Sequence, residues 1–131
     1  MKVLAFGSFD ILHPGHLFYL KEAKKLGDFL IVIVARDSTI KKYKKKEPVN
    51  DEGKRLAEIK KLDFVDEAML GYEGDYYKVL GEIKPEVIAL GYDQTYFTEK
   101  LEEELKKLKL KTKIVRIKPF KEDIYKSSKM R

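Results

Sequence analysis

Residues 28–35, DFLIVIVA, form the apolar run that decides the fold class. From Phe29 to Ala35 every side chain is apolar, with a central series of β-branched residues. A strand with one wet face alternates apolar and polar residues, whereas this continuous run predicts a strand covered on both faces. Such strands are typical of parallel sheets, whose connections carry helices across the sheet in a right-handed sense.

The segments on either side of this run alternate between strand and helix patterns. Upstream, Lys2–Phe6 is predicted as a first strand, and Pro14–Leu26 has apolar residues at helical spacing with Gly27 as its C-cap. Downstream, the sequence predicts helices over 51–62, 76–83 and 99–108 and strands over 64–70, 86–91 and 112–117. We therefore predict a single α/β domain over residues 1–131, a Rossmann-like, doubly wound, parallel five-stranded sheet with helices on both faces.

Composition excludes several classes of protein. The 131-residue chain has no cysteine, so it has no disulfide framework, no catalytic thiolate and no cysteine metal site. No run approaches the roughly 20 apolar residues of a membrane-spanning helix, and the N-terminus lacks the pattern of a signal peptide. We therefore expect a cytoplasmic protein without a membrane partner. Charged residues make up 38% of the chain, which resembles the composition of thermophile proteins.

The net charge of +6 favours anionic partners, although lysine-rich helices with solvated faces account for it equally well. Five of the chain's lysines stand together in KKYKKK, residues 41–46, which is predicted to lie in the loop after the second strand. From the residues alone, this run fits a solvated basic loop or a nonspecific nucleic-acid patch. No specific nucleic-acid partner is predicted.

Both histidines of the chain, His13 and His16, lie in the segment after the first strand. In doubly wound sheets, ligands bind beyond the carboxyl ends of strands, where the strand order reverses. Pro14 is suited to the first turn of a helix, whose free N–H groups and dipole favour an anion. Two imidazole donors beside that helix start indicate phosphate chemistry. A metal pair completed by Asp10, a Ser8 nucleophile and an ordinary helix start remain as alternatives.

The spacing Gly7-x-Phe9-Asp10-x-x-His13-x-Gly15-His16 resembles a known motif. It is similar to the H-x-G-H signature of the nucleotidyltransferase superfamily, in the form typical of its cytidylyltransferase-like branch. The resemblance implies an enzyme that transfers a nucleoside monophosphate from an NTP to a phosphate acceptor and releases pyrophosphate, with substrate-bound Mg²⁺ and no resident metal. It implies catalytic roles for His13 and His16 and nucleotide binding by Gly7, Ser8, Phe9, Asp10, Gly15 and His16.

The resemblance also extends to the loop after the second strand and the helix that follows it. Lys44 corresponds to a lysine that is catalytic and contacts the acceptor phosphate, and Lys46 to a second acceptor contact. Asp10 is expected to face the acceptor as well as the nucleotide. Arg55 opens the stretch RLAEIKKLDFVDEAM, which resembles a family segment, and is expected either to neutralise phosphate or to solvate the helix start.

The remaining expected nucleotide contacts come from two later segments. Gly91, Asp93 and Gln94 follow the fourth strand, in the position of a G-x-D segment that contacts the nucleotide in the family. The end of the chain, IYKSSKMR, resembles the family element I-S-x-T-x-[IV], which assigns triphosphate contacts to Ser127 and Ser128. Lys126 stands where the first serine of that element is usual. Arg116 corresponds to an upstream arginine that binds the triphosphate.

LIVIVARDSTIKK together with LGYDQ resembles the archaeal FAD synthase group, in which ATP adenylylates FMN. The alternative is a CTP-dependent glycerol-3-phosphate cytidylyltransferase, which usually carries G-D-D-W at residues 91–94. Heptose-phosphate or pantetheine-phosphate adenylyltransferases and a nucleotide-binding sensor without turnover also remain open. For a flavin acceptor, Tyr92, Tyr96 and Phe97 are candidates for ring stacking. The family resemblance further implies a homodimer.

Overall fold

The protein is described from a computed structural model over residues 1–73, 77–91 and 100–118, with the side chain of Lys44 outside that description. Five parallel strands form one sheet in the order β3-β2-β1-β4-β5. The strands are β1 (Lys2–Gly7), β2 (Phe29–Val34), β3 (Glu67–Leu70), β4 (Val87–Leu90) and β5 (Lys113–Arg116). The helices are α1 (Pro14–Lys24), α2 (Asp37–Lys44), α3 (Glu52–Lys60), α4 (Lys78–Ile83) and α5 (Leu101–Lys107).

The sheet carries a core on each face, as the continuous apolar run of β2 predicts. Successive side chains of a strand point to opposite faces, so the central strands divide their residues between the two cores. On one face, Val3 and Ala5 of β1 pack in a cluster with residues of α1 and α3. On the other, Leu4 and Phe6 pack in a cluster with residues of α4 and α5. The prediction of a doubly wound α/β sheet is confirmed.

The strand order reverses between β1 and β4, and this is where the candidate site lies. The ladder between β1 and β4 has Ala5 opposite Ala89 as its last pair, two residues short of the end of the β1–β2 ladder. Just beyond that pair, the Tyr19 hydroxyl accepts a hydrogen bond from the Phe6 N–H at 3.2 Å and donates to the Ala89 carbonyl at 2.6 Å. A buried side chain of α1 thus bridges the two strands at the switch point.

Tyr19→Phe is expected to lower the free energy of unfolding by about 1–3 kcal/mol, because it removes a buried hydroxyl that satisfies two backbone groups. Chemical denaturation of both proteins measures the difference. Tyr72→Phe is the matched control: its hydroxyl donates to Glu82 in an exposed pair, so we expect a change within about 0.5 kcal/mol. Equal effects of the two substitutions would contradict a structural role for the bridge.

Two local predictions were wrong. The lysine run 41–46 was expected in a loop, but residues up to Lys44 belong to α2, where Ile40 is buried on its inner side. Gly27 was expected to cap α1, whereas the helix ends at Lys24 and its C-cap is Lys25. Gly27 instead makes room for the first residue of the chain, because a Cβ there would lie 2.6 Å from the Met1 carbonyl oxygen.

The single domain boundary at 1–131 stays a prediction, because residues 119–131 lie outside the described ranges. Within those ranges, no helix has both the length and the apolar character needed to cross a membrane.

Candidate active site

The candidate site begins with His13, which is the N-cap of α1. Its backbone is extended, and its ring Nδ1 accepts a hydrogen bond from the Gly15 N–H at 3.0 Å. An accepting Nδ1 carries no proton, so the hydrogen-bond pattern assigns the proton of the neutral ring to Nε2. The exposed His13 ring can therefore offer an Nε2–H donor to a ligand.

The sequence predicted free N–H groups at the start of α1, but in the structure these groups make hydrogen bonds within the chain. Pro14 has no N–H, Gly15 donates to the His13 ring, and His16 and Leu17 both donate to the His13 carbonyl. The first amides of the helix are thus already engaged, because His13 takes the position that an anion was expected to occupy. In this arrangement the helix dipole, rather than these amides, favours an anion beside the start of α1.

The rings of Phe9, His16 and His13 contact one another in series, and we call this series the ring stack. The His13 and His16 rings are stacked, with centroids 3.8 Å apart and an interplanar angle of 24°. The Phe9 ring meets His16 edge to face at 5.4 Å and 81°. Phe9 is buried and has a φ of 51°, in the left-handed region that a bulky residue adopts only when its surroundings impose it.

The two glycines of the motif stand at the ends of the ring stack. A Cβ at Gly7 would lie 2.5 Å from Cζ of Phe9, and a Cβ at Gly15 would lie 2.9 Å from Cε1 of His13. Both distances are far below van der Waals contact, so each ring lies directly against a glycine backbone. The spacing of glycines, phenylalanine and histidines in the motif therefore has a packing explanation.

Gly7→Ala is expected to destabilise the fold by about 1–3 kcal/mol, the usual cost of overpacking a filled core. Because Phe9 must move and His16 rests on it, kcat should also fall, by up to about 10²-fold for a displacement near 1 Å. Thermal unfolding and turnover are measured on the same preparation. Gly81→Ala is the control, since its Cβ would make only a 3.5 Å contact with Leu108 and should stabilise α4 by about 0.5–1 kcal/mol. An active, stable Gly7→Ala variant would show that Phe9 does not hold His16.

Asp10, predicted to contact both substrates, ties the loop after β1 to the segment before α3. Its carboxylate accepts hydrogen bonds from the backbone N–H groups of Val49 at 2.8 Å and Asn50 at 2.7 Å. The Asn50 side-chain amide donates in return to the Asp10 carbonyl. These contacts hold residues 49–50 beside residues 8–13, the segment between β1 and α1 that we call the histidine loop. The direct substrate contacts of Asp10 stay a prediction.

Arg55 lies fully buried beneath the same two loops. Its guanidinium donates to the carbonyls of Ser8 at 2.9 Å, Ala35 at 2.6 Å and Asn50 at 3.0 Å, and it pairs with Asp37 at 2.6 Å. Its expected role in solvating the helix start does not fit this burial, and its phosphate contact stays a prediction. The contacts make Arg55 a clamp that joins the ends of β1 and β2 to the start of α2.

The other predicted site residues divide into those the structure describes and those it does not. Arg116, at the end of β5, donates to the Gly91 carbonyl at 2.7 Å, which places both residues at the carboxyl edge of the sheet. Lys46 is exposed in the segment after α2, and the backbone of Lys44 ends that helix. Four predicted nucleotide contacts lie outside the described residues: Asp93, Gln94, Ser127 and Ser128.

The sequence reasoning missed three residues that shape the site: Tyr19, Asp37 and Asn50. Asn50 is the single asparagine of the chain and follows a Pro-Val pair, which is a usable signal for a structured loop. Tyr19 lies one helical turn after His16, so its inward direction follows from helix periodicity. The partner of Asp37 could not be foreseen, because it comes from a helix 18 residues away.

No group of three or more His, Asp or Glu side chains within the described ranges is arranged to hold a metal ion. Among the described candidate residues, the imidazoles of His13 and His16 and the guanidinium of Arg116 are groups that suit phosphate oxygens. Such a site can orient anionic reactants and stabilise negative charge that develops during a reaction.

Comparisons with known proteins agree with this chemistry. The sequence model of the family described as cytidylyltransferase-like matches residues 4–131. A protein named FAD synthase from Methanobrevibacter ruminantium is 53% identical over 120 residues, covering 89% of this chain and 79% of that one. FAD synthase from Thermoplasma volcanium is 50% identical over 131 residues, covering 100% of this chain and 92% of that one. A crystal structure described as the lipopolysaccharide core biosynthesis protein from T. volcanium GSS1 is 52% identical, with a TM-score of 0.85 and coverage of 92% of this chain and 98% of that one.

Proposed function

Because the chain belongs to the cytidylyltransferase-like family of nucleotidyltransferases, we propose that it transfers AMP from ATP to FMN to form FAD. The observation that carries the choice of ATP and FMN is the roughly 50% identity to FAD synthases over the whole chain. The site also supports the reaction class, since the two histidine rings stack on each other at the start of α1, which follows β1 at the switch point of the sheet.

The proposed reaction is a single displacement. A phosphate oxygen of FMN attacks the α-phosphorus of ATP, the bond from that phosphorus to the bridging oxygen of the β-phosphate breaks, and pyrophosphate leaves. The acceptor phosphate is already an anionic nucleophile, so the reaction needs no strong general base. Positioning of the two anions and stabilisation of charge at phosphorus are then the main tasks of the protein.

We assign the catalytic roles to His13, His16 and Lys44. The imidazoles are proposed to donate to oxygens of the α-phosphate as it becomes pentacoordinate, and Lys44 and Lys46 to neutralise the acceptor phosphate. Arg116 is proposed to hold the triphosphate, together with Gly91 and the predicted contacts Asp93, Gln94, Ser127 and Ser128. The position of Arg116 beside Gly91 supports this assignment, since the two come from neighbouring strands.

Mg²⁺ is proposed as a companion of the triphosphate rather than as a resident ion. The donor set of the site fits this arrangement, because it offers cationic groups to phosphate oxygens and no described cluster of carboxylates to a metal. The chemistry that Mg²⁺ supplies when bound is neutralisation of charge on the departing pyrophosphate.

A sugar-phosphate acceptor is the second candidate, and the name of the T. volcanium structure favours it. Purified protein is therefore incubated with Mg²⁺, with ATP or CTP, and with FMN, glycerol 3-phosphate or a heptose phosphate. Pyrophosphate and nucleotidyl product are both measured. FAD formed from ATP and FMN alone supports the proposal. CDP-glycerol or an ADP-heptose as the dominant product would overturn the acceptor while retaining the site, and a nucleotide-binding sensor would give no product at all.

The homodimer and the cytoplasmic location belong to the proposal as well. Sedimentation velocity of the purified protein measures its oligomeric state, and fractionation of the source cells measures its location. A monomer at micromolar concentration, or activity in the membrane fraction, would contradict the respective expectation.

A further inference from the structure

Two large apolar side chains stand exposed beside the histidine loop. Ile11 is 59% exposed and Val49 is 74% exposed, and they come from segments 38 residues apart in the sequence. Single exposed apolar residues are common on protein surfaces, so exposure alone carries no argument. The informative feature is that hydrogen bonds join the two segments that carry these side chains, beside the histidine-bearing segment of the candidate site.

The contacts of Asp10 hold them. Asp10 immediately precedes Ile11, and its carboxylate binds the backbone N–H groups of Val49 and Asn50. The Asn50 amide donates back to the Asp10 carbonyl, so three hydrogen bonds join the segments. Ile11 and Val49 therefore form a defined apolar edge, which we call the apolar lip, rather than two unrelated side chains on mobile loops.

Each side of the apolar lip is close in sequence to a donor for phosphate. Ile11 is two residues before His13, whose Nε2–H is directed away from its helix cap. Val49 is three residues after Lys46, which is exposed. An occupant that satisfies both features has an anionic end beside the cationic groups and a flat apolar end on the lip.

We infer that the apolar lip docks the isoalloxazine ring of the acceptor, an inference that rests on the proposed function. FMN has the required form, because a ribityl chain separates its phosphate from an aromatic ring system. A polyol phosphate has no group that would use the lip. The lip thus supplies a specificity contact for a flavin that glycerol 3-phosphate lacks, from residues outside the aromatic segment 92–97.

Ile11→Ser and Val49→Ser test the inference, with Phe29→Ser as the matched control at the opposite, amino edge of the sheet. Each lip substitution is expected to raise the KM for FMN roughly four- to fifteenfold, since each removes the ring contact of about one or two carbon groups. The kcat and the KM for ATP should stay unchanged, because the ring contact is the same in ground and transition states. Ribitol 5-phosphate, which keeps the chain and phosphate but lacks the ring, should react equally with wild type and variants.

The outcomes separate this inference from the proposed function. Titration of FMN fluorescence with each protein gives a dissociation constant that does not depend on turnover. FMN binding that weakens in the lip variants, without FAD formation by the wild type, would support docking on the apolar lip and overturn the proposed function. If KM and Kd for FMN are unchanged in both variants, docking of the flavin ring on the apolar lip is overturned. FAD formation by the wild type would still support the proposed function in that case. A shift in sedimentation coefficient on substitution would show that a second copy of the chain, rather than flavin, covers the lip.

Discussion

Replacing His16 with alanine is expected to lower kcat by about 10²–10³, the loss found when one preorganised donor of a charge-stabilising site is removed, roughly 2.7–4 kcal/mol. The His16 ring stacks on His13 at 3.8 Å and makes a T-shaped contact with Phe9, so it is held on both sides. Its substitution removes both the donor and the support of the His13 ring. Steady-state rates of pyrophosphate release with ATP and FMN measure the effect.

The stability of the His16→Ala variant decides how that loss is interpreted. His16 is partly exposed, so the unfolding midpoint should shift little compared with the change in rate. Leu17→Ala is the matched control, because it shortens the next, partly exposed side chain of α1 without removing a donor. Near-normal turnover of His16→Ala would overturn the proposed mechanism. An equal loss of activity in Leu17→Ala would assign the effect to packing.

Arg55→Ala is expected to cost about 3–5 kcal/mol in the free energy of unfolding, the range for breaking a buried ion pair by removal of one partner. The substitution strips hydrogen-bond donors from three backbone carbonyls and leaves Asp37 without its buried cation. Since domains of this size are stable by only about 5–15 kcal/mol, the variant should melt far below the wild type. Urea denaturation followed by circular dichroism measures the loss.

Arg36→Ala provides the comparison for Arg55. Arg36 also carries a guanidinium near the start of α2, but its pair with Glu52 is longer, at 3.3 Å, and partly exposed. A partly exposed pair contributes about 0–1 kcal/mol, and the hydrogen bond from Arg36 Nε to the Gly71 carbonyl adds about 0.5–1.5 kcal/mol, so this variant should lose less stability than Arg55→Ala. If the two arginines cost the same, the clamp beneath the histidine loop contributes no more than a surface pair.

The fold was largely predictable because its signals are local. A run such as LIVIVA has no polar face, so it fits only a strand covered on both sides, and the alternation around it follows. The helix α2 was missed because it is short and ends in lysines, and lysine is common both in loops and on helix surfaces. The burial of Ile40 distinguishes a helix from a loop here, and that burial depends on tertiary packing.

The candidate site was predictable in its residues and less so in its geometry. His13 and His16 stand out because they are the only histidines and share one motif. That the His13 ring would cap its own helix depends on a competition between imidazole and ligand for the same amide. The burial of Arg55 reverses the usual preference of arginine for the surface, and only the carbonyls gathered from distant segments explain it.

The ring stack also restricts the order in which evolution can change this motif. With phenylalanine at position 9, every side chain larger than hydrogen at Gly7 meets the ring, so a change at 7 is accessible only after position 9 has become smaller. Gly7→Ala combined with Phe9→Leu should therefore recover part of the stability that Gly7→Ala alone loses, a case of sign epistasis between neighbours. The packing of the Phe9 ring against the Gly7 backbone thus makes the effect of a substitution at either position depend on the residue at the other.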